Sequence, residues 1–368
     1  MAQDKILITG ATGFLGSAIL IDILQAGYTV NIVARSQSKI KQLQVCPAIA
    51  ALNKESACKY FIVPDLTVEG GLDEATVGTN IVIHCASPLP FMSSDAENDM
   101  IIPAVKCTLR ALESAQKAGT VKRVIVLSSL GAFAGPDIVD GTYIPPEEVF
   151  LGDKVNDDFG PPYHSPLIAY CAAKTAAYRR SIEWMEKAVA EGSVSFDMIN
   201  LAPAYIYGPN PLATSVADLM LTSNSLLLPI IMGTGKVSSE EVEPRRPTLC
   251  GGLALDDFLE IVHKSLDLDK VKTPGSGPSK HISTYVQSTK FKWNDVYPII
   301  ARKWPREVEK GILAAEGDFP TKPNISFAVG DTERTFGMKL RGLEEILDVL
   351  VPYYIEMLKK ENSKQQAV

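Results

Sequence analysis

Short apolar runs alternate with helical stretches through the first two hundred residues of the chain. The runs are rich in Val, Ile and other apolar residues, with few polar interruptions. Near-continuous runs of this kind are typical of strands in a parallel sheet that helices cover on both faces. We predict strands at residues 5–9, 28–34, 59–63, 80–85, 123–128 and 195–201. The stretches between them predict helices at 17–24, 38–43, 99–118 and 169–190.

Two loop-rich stretches, 131–166 and 203–247, interrupt this alternation. The first is too long for an ordinary connection, so we expect it to be functional. Farther along the chain we predict helices at 253–266, 292–303 and 342–360, a strand at 281–287 and a short polar tail. The predicted architecture is a doubly wound α/β domain with a smaller C-terminal substrate-binding lobe. The domain spans residues 1–202 and is completed by parts of 251–287, and the lobe comprises 203–250 and 288–368.

Composition and charge narrow the class of protein. The 368 residues carry a formal net charge of -7, so no basic surface favours a nucleic-acid partner. The six cysteines form no C-x-x-C pair and no cluster with the four histidines, which predicts reduced thiols and no metal site. We find neither a signal peptide nor an apolar run near the ~20 residues of a membrane span. We therefore expect a cytoplasmic protein without a membrane partner.

A glycine-rich turn joins the first predicted strand to the first helix. A strand, a glycine turn and a helix in this order are typical of a Rossmann-type dinucleotide site, because glycines allow the sharp turn and the close approach of a pyrophosphate. The helix N-terminus then faces the phosphates with its partial positive charge. For the spacing alone, the alternative is an ordinary turn with incidental glycines. The residues expected to contact the cofactor here are Gly10, Thr12, Gly13, Phe14, Leu15 and Gly16.

The residues after the second predicted strand indicate which dinucleotide binds. An NAD site usually ends this strand with an Asp or Glu that binds the ribose 2′-hydroxyl. Here Arg35 follows Ala34 instead, and Lys39 adds a second cation. Because a guanidinium binds a phosphate through two parallel hydrogen bonds, we predict NADP(H). The alternative is a solvated basic turn.

Tyr170 and Lys174 lie four residues apart on a predicted helix, so their side chains share one face. A neighbouring ammonium favours a phenolate, and we therefore expect Lys174 to lower the pKa of Tyr170. The tyrosine could then donate a proton to a carbonyl oxygen as a hydride arrives. A serine hydroxyl from the pair Ser128-Ser129 could hold the same oxygen. An ordinary surface pair on the helix is the alternative.

These motifs resemble those of the extended short-chain dehydrogenases/reductases. Residues 9–16 match the T-G-x-x-G-x-x-G of that family, and residues 170–174 match its Y-x-x-x-K. Further segments are similar to its NADPH-dependent branch related to dihydroflavonol and methylglyoxal reductases. They are A-R-S at 34–36, V-x-H-x-A-S-P at 82–88, R-V-x-x-x-S-S at 123–129 and P-x-x-x-x-G-P at 203–209.

The resemblance implies roles for individual residues. Tyr170 would be the general acid, Lys174 would also bind the nicotinamide ribose, and Ser129 would position the carbonyl. Cofactor contacts implied beyond the glycine turn are Arg35, Lys39, Asp65, Leu66, Ala86, Ser87, Tyr170, Lys174 and Pro203. The implied substrate pocket is mainly apolar and is lined by Pro88, Phe91, Ala132, Phe133, Tyr205 and a loop near 226–232.

Two departures from the pattern of the plant enzymes bear on the substrate. Ala134 stands where dihydroflavonol reductases carry Asn, and residues 168–174 differ from the N-W-Y-C-Y-G-K-type segment of cinnamoyl-CoA reductases. The sequence is more similar to microbial carbonyl reductases, including enzymes of fungal secondary metabolism. We therefore expect NADPH-dependent reduction of an apolar or aromatic aldehyde or ketone by a monomer or homodimer.

Two other functions stay open. The same fold serves hydroxysteroid-type dehydrogenases and sugar-nucleotide epimerases or dehydratases. Dehydratases usually place acidic residues after the catalytic Ser or Thr, whereas this chain has Leu130-Gly131-Ala132. The other alternative is a non-enzymatic NADP(H)-sensing regulator, although such relatives usually lose the Tyr or the Lys.

Overall fold

The computed structural model describes residues 4–89, 93–133, 135, 136, 138, 160–234, 251–271, 281–319 and 327–366. Each predicted strand is present in this part of the chain, within two residues of its predicted ends. The strands are β1 (Lys5–Thr9), β2 (Thr29–Ala34), β3 (Cys58–Ile62), β4 (Ile81–His84), β5 (Arg123–Leu127), β6 (Asp197–Pro203), β7 (Ile206–Tyr207), β8 (Leu253–Ala254) and β9 (Ile282–Gln287).

Seven of these strands form one sheet in the order β3-β2-β1-β4-β5-β6-β9. Every neighbouring pair in it is parallel, and β7 and β8 form a separate two-stranded sheet. The strand order reverses between β1 and β4, so their carboxyl ends flank the crevice in which doubly wound sheets bind ligands. The predicted α/β, doubly wound, Rossmann-type fold is confirmed.

The helices of the described residues connect the strands and build the C-terminal part. They are α1 (Phe14–Gln25), α2 (Gln37–Gln44), α3 (Pro47–Ala50), α4 (Asp73–Thr76), α5 (Ile102–Ala118), α6 (Pro166–Ala190), α7 (Val216–Leu219), α8 (Asn224–Ile231), α9 (Leu255–Ser265), α10 (Val296–Lys303), α11 (Pro305–Glu309), α12 (Gly330–Phe336) and α13 (Leu343–Gln366). A π-helical turn over Glu97–Ile101 precedes α5. None of the described helices is both long and apolar enough to cross a membrane.

Several helix ends differ from the prediction, and two of these differences have a local cause in the sequence. Helix α6 starts three residues early because the Ser165 side chain caps it and Pro166 occupies its first turn. Helix α13 continues to Gln366, where we expected a polar tail beyond residue 360. The tail is rich in Glu, Lys and Gln, which are good helix formers even without an apolar face.

The two faces of the sheet bury alternate residues of each strand, as the two-residue period of a strand requires. On one face, Ile83 and Ile125 share a core with Phe258 of α9. On the other face, Val82 and Val124 share a core with Leu112 of α5. Side chains of β4, β5 and β6 on this second face meet helices α5 and α6, and α6 carries two of the predicted catalytic residues.

A second apolar cluster packs residues 207–231 against residues 291–354. Its largest member, Trp293, is 0% exposed, and its ring centroid lies 5.6 Å from that of Phe291. The apolar segment 226–232 lies mainly in α8, and the segment packs into this cluster. The segment is therefore helical where we expected a loop. Its place in the substrate pocket stays a prediction. The division of the chain into two domains stays a prediction.

Arg123 anchors the start of β5. Its guanidinium binds the carboxylate of Asp197 through two hydrogen bonds of 2.7 Å each, and it donates to three backbone carbonyls within residues 265–271. A charged group that is 1% exposed is tolerated only when its donors are paired in this way. The bonds fix β5 against β6, and Ser129 follows the other end of β5.

Candidate active site

The glycine turn closes the carboxyl end of β1 against β4. Gly10 has φ +74°, and a Cβ there would lie 2.7 Å from the backbone nitrogen of Ala86. A Cβ on Gly16 would lie 2.1 Å from the carbonyl oxygen of Gly10. Real Cβ atoms do not approach backbone this closely, so the fold itself requires glycine at both positions.

Gly13 differs from these two glycines. Its backbone is extended, and the nearest atom to an added Cβ would be Gly10 O at an ordinary 3.5 Å. Gly13 is exposed and forms the N-cap of α1, where the described residues supply neither a side-chain cap nor an acidic group in the first turn. The first N–H groups of this helix, from Phe14 to Gly16, therefore have no helical acceptor. Thr12, beside Gly13, is partly exposed.

The end of β2 presents the predicted basic pair. Arg35 is exposed, and no hydrogen bond or ion pair of its side chain occurs within the described residues. Ser36 caps α2, and Lys39 Nζ donates to Gln42 Oε1 at 3.0 Å. Arg35 is therefore the better placed of the two cations to bind a ligand, because Lys39 already donates a hydrogen bond to Gln42.

The residues after β3 have structural roles of their own. Asp65 Oδ1 accepts a hydrogen bond from Thr67 N at 2.8 Å, and this bond lowers the pKa of the exposed Asp65 carboxyl. Leu66 packs against the core between the sheet and α5. Their predicted place at the edge of an adenine site stays a prediction.

The three predicted catalytic residues come together beside β5. Ser129 follows the strand and caps a 3₁₀ turn, with its Oγ accepting from Gly131 N at 3.1 Å. Tyr170, one turn into α6, lies beside the same turn: a Cβ on Gly131 would be 3.4 Å from Ser129 Oγ and 3.6 Å from Tyr170 Cε1. Lys174 lies one turn farther along this helix, with its Nζ 5.7 Å from the centroid of the Tyr170 ring. Serine, phenol and ammonium thus lie at one edge of the sheet, as the sequence predicted.

The pKa of Tyr170 moves in the direction opposite to our expectation. Burial raises it to about 12, and the hydrogen bond from Ser129 lowers it only in part. Lys174 is 7% exposed, donates to Leu127 O at 3.1 Å, and has its own pKa lowered by burial to about 8. Burial of the phenol is the largest effect, and Lys174 is not among the groups that shift its pKa. Tyr170 is therefore protonated at neutral pH, which is the form that a general acid needs.

His84, at the end of β4, is a buried neighbour that our sequence analysis placed only within a motif. Its Nδ1 lies 2.9 Å from Thr9 Oγ1, so the bond joins β4 to β1. Burial, with a smaller effect from Lys174, lowers the pKa of His84 to about 3. The ring is therefore neutral at neutral pH.

The predicted pocket residues divide into two groups. Pro88 and Tyr205 are partly exposed. Burial raises the pKa of Tyr205, with smaller contributions from Cys171 and Tyr170, so Tyr205 lies near both. Ala132 and Phe133 are 0% exposed and pack with Tyr178 in the core. Their burial does not support a place in the pocket wall, which stays a prediction for these two residues. They follow Ser129 in the sequence, but the 3₁₀ turn directs them inward.

The remaining predicted positions are also located. Ala86 and Ser87 are partly exposed just past β4, and Pro203 is buried at the end of β6. Phe91 lies outside the described residues, as does Ala134. Within the described residues, no group of His, Cys, Asp and Glu could hold a metal ion.

Gly131 is a site residue that sequence reasoning missed. A Cβ there would lie 3.2 Å from Cys171 Sγ, 3.4 Å from Ser129 Oγ and 3.6 Å from Tyr170 Cε1. Its backbone therefore forms the wall beside both hydroxyls. The available signal was a glycine two residues after a candidate catalytic serine. Spacing alone, however, does not show which side of the turn this glycine faces.

Comparisons with known sequences extend over nearly the whole chain. A model of the NAD dependent epimerase/dehydratase family matches residues 6–240. Ketoreductase CTB6 of Cercospora nicotianae is 31% identical over 371 aligned residues, which cover 98% of each protein. The NAD-dependent epimerase/dehydratase ALT6 of Alternaria alternata is 29% identical, over 92% of this chain and 94% of that protein.

The fold is also that of a solved reductase. Yeast methylglyoxal/isovaleraldehyde reductase Gre2, complexed with NADPH, superposes with a TM-score of 0.75 at 21% identity, over 97% of this chain and 99% of the other. The family match spans the glycine turn, the end of β2 and the Ser129, Tyr170 and Lys174 cluster. The chain therefore belongs to the NAD dependent epimerase/dehydratase family, the extended short-chain dehydrogenases/reductases, and to the reductase branch of that family.

Proposed function

We propose that the protein reduces an aldehyde or ketone to an alcohol with NADPH, and that Tyr170 is the general acid. The observation that carries this proposal is the grouping of Ser129 and Tyr170 around the backbone of Gly131, with Lys174 one turn farther along the helix that holds Tyr170. Such an arrangement can hold a carbonyl oxygen and deliver a proton to it. The ketoreductases among its relatives support the same class of reaction.

The glycine turn suits the pyrophosphate of a dinucleotide. Gly13 leaves space at the N-terminus of α1 that a side chain would fill, although the protein itself does not require glycine there. The unpaired N–H groups of Phe14, Leu15 and Gly16 offer donors to phosphate oxygens, and the helix dipole favours the negative charge. When bound there, NADPH supplies the hydride.

Arg35 supports NADPH over NADH. It is exposed at the end of β2, where an NAD site carries an acid that binds the ribose. A guanidinium there can bind a 2′-phosphate through two charge-assisted hydrogen bonds, and Lys39 lies one turn into α2 beside it. The solved relative that was crystallised with NADPH supports the same choice.

The high pKa of Tyr170 suits reduction. The phenol keeps its proton at neutral pH and releases it only when negative charge develops on the carbonyl oxygen. Ser129 holds that oxygen by hydrogen bonding. Lys174 stabilises the resulting phenolate and binds the nicotinamide ribose. The partly exposed Pro88 and Tyr205 give the pocket apolar walls, which favour an apolar or aromatic carbonyl.

Initial rates at 340 nm with a panel of aliphatic and aromatic aldehydes and ketones test this proposal. We expect NADPH oxidation that requires an added carbonyl, and at least tenfold slower oxidation of NADH. NADPH consumption without an external carbonyl would instead favour an epimerase or dehydratase reaction. Tight NADPH binding without turnover on any carbonyl would favour a regulator.

A further inference from the structure

A small polar chamber lies beneath Lys174, between the sheet and helices α5 and α6. Its walls include His84 from β4, Ser128 just past β5, Asn200 from β6 and Lys174 from α6. The volume within which the centre of a water molecule can move is about 10 Å³, close to what one bound water needs.

Several polar atoms on these walls are buried without a hydrogen-bond partner in the described part of the chain. They are His84 Nε2, Ser128 Oγ, Asn200 Oδ1 and Asn200 Nδ2. Asn200 is 0% exposed and His84 is 2% exposed. An unpaired buried polar group costs about 1–3 kcal/mol, and native proteins pair nearly all such groups, with water where side chains do not reach. Three such side chains around one polar chamber therefore indicate a small polar ligand.

The partners of His84 decide which ring nitrogen carries its proton. Thr9 Oγ1 accepts from Ala86 N at 3.3 Å and lies 2.9 Å from His84 Nδ1. The Thr9 hydroxyl can therefore donate to Nδ1, which leaves the proton of the neutral ring on Nε2. The chamber then receives an N–H donor from His84.

We propose that the chamber binds one water molecule that accepts from His84 Nε2 and Lys174 Nζ and donates to Asn200 Oδ1 and Ser128 Oγ. Two donors and two acceptors match the hydrogen-bonding capacity of water. Lys174 can make this bond because its ammonium has three N–H groups and gives one of them to Leu127 O.

The water solvates and positions Lys174 and does not touch the substrate. The titratable groups around Lys174 are Tyr170 and Tyr178 on its own helix, His84 at the end of β4 and Cys85 just past it. The Leu127 carbonyl of β5 also faces Lys174. The described chamber walls contain no carboxylate, so no counter-charge replaces the water. His84 and Asn200 are therefore positioning residues. The inference rests on the proposed function, in which Lys174 binds the nicotinamide ribose.

The substitution Asn200→Leu tests this inference, because it removes both amide atoms and keeps the number and branching of the side-chain heavy atoms. The matched control is Ser181→Ala, since Ser181 also lines the chamber but bonds Tyr178 O at 2.7 Å within its own helix. NADPH affinity is measured by fluorescence from pH 6 to pH 10. We expect affinity to fall at high pH as Lys174 loses its proton, and this fall to shift by about one unit to lower pH in Asn200→Leu. Ser181→Ala should overlay the unsubstituted protein.

A second substitution, Asn200→Asp, places a carboxylate beside Lys174 and should shift the same fall to higher pH. An unchanged pH profile in both Asn200 variants would overturn the inference, because a purely structural role of Asn200 would not move it. A profile that moves in opposite directions in the two variants would support it.

Two readouts do not need the cofactor. The first readout is the free energy of unfolding in urea. If the chamber is dry, Asn200→Leu should raise it by removing unpaired polar atoms. If the chamber holds a water, Asn200→Leu should lower it, because the bonds to that water are lost. A crystal structure at high resolution should show water within hydrogen-bonding distance of His84 Nε2 and Asn200 Oδ1, and a dry chamber would overturn the inference. If the protein does not bind NADPH at all, the proposed function fails while these two readouts still decide the water.

Discussion

Ser129 Oγ accepts a hydrogen bond from the backbone N–H of Gly131, 3.1 Å away. The same turn lies against the Tyr170 ring, so its backbone helps to place the two groups proposed to meet the substrate. Gly131 allows this approach because it has no side chain between Ser129, Tyr170 and Cys171. The position of the serine thus depends on a residue that does no chemistry.

The first prediction concerns Gly131→Ala. The added Cβ would press hardest on Cys171 Sγ, at 3.2 Å, and displace the turn that orients Ser129. We expect kcat/KM to fall about tenfold, because small displacements of reacting groups are costly. Cys171→Ala in the same chain should restore part of the loss, and Cys171→Ala alone serves as the control. Additive effects of the two substitutions would contradict the proposed contact.

The glycine turn allows folding and binding to be separated. Gly16→Ala should destabilise the protein by about 3 kcal/mol or more, because its Cβ would overlap Gly10 O. Gly13→Ala should unfold at nearly the same urea concentration as the unsubstituted protein, yet bind NADPH about tenfold more weakly or worse. Urea denaturation and fluorescence titration measure the two effects. Normal NADPH affinity in Gly13→Ala would remove Gly13 from the cofactor site.

These two glycines illustrate what the sequence could predict. The strand, turn and helix around them depend on local pattern, and the strands of the sheet follow from apolar runs in the same way. The family's glycine spacing also implied that Gly16 packs closely in the fold and that Gly13 leaves space for a ligand. The local sequence pattern was therefore sufficient to predict both the fold and the residues of the glycine turn.

Other features depend on three-dimensional packing that no local pattern represents. Ala132 and Phe133 lie three and four residues after Ser129, but a short turn directs them into the core. The pKa of Tyr170 rises because the phenol is buried, although its spacing from Lys174 suggested a lower value. The chamber beneath Lys174 joins His84 to Asn200 across more than a hundred residues of sequence. The sequence does not show that polar atoms of these two side chains are buried without hydrogen-bond partners.

Cofactor choice is predicted to depend on Arg35. Arg35→Ala should weaken NADPH binding by about tenfold to a hundredfold, since a charge-assisted hydrogen bond contributes about 1.5–3 kcal/mol, and should leave NADH binding unchanged. Lys41→Ala is the matched control, because Lys41 is an exposed cation on the neighbouring helix α2. Kd values for both nucleotides come from fluorescence titration. Equal losses for NADPH and NADH would place Arg35 away from the 2′-phosphate.

The stability of the protein is predicted to fall in acid because of His84. Its folded pKa of about 3 lies below the usual 6.5, so the unfolded chain binds the proton first. The stabilisation is present above pH 6.5 and is lost as the pH falls towards 3. Between pH 7.5 and pH 5 we expect a loss of about 2 kcal/mol, measured by urea unfolding.

His84→Asn should remove this part of the pH dependence, because asparagine can bond Thr9 but does not titrate. The exposed His263 provides the control, and His263→Asn should retain the loss of stability at low pH. The assignment to His84 fails if His84→Asn and the unsubstituted protein lose the same free energy of unfolding between the two pH values.

The most direct test of the central claim compares Tyr170→Phe with Tyr178→Phe. Both tyrosines lie on α6, but the Tyr178 hydroxyl bonds Thr284 on β9 and is not part of the Ser129 cluster. The measurement is the single-turnover rate of NADPH oxidation with a reduced carbonyl substrate, together with the Kd of NADPH. Tyr170→Phe should lower the rate by about 10²–10⁴ with little change in Kd, and Tyr178→Phe should keep most of the activity. Full activity in Tyr170→Phe, or equal loss of NADPH binding and turnover, would contradict the role of Tyr170 as the general acid.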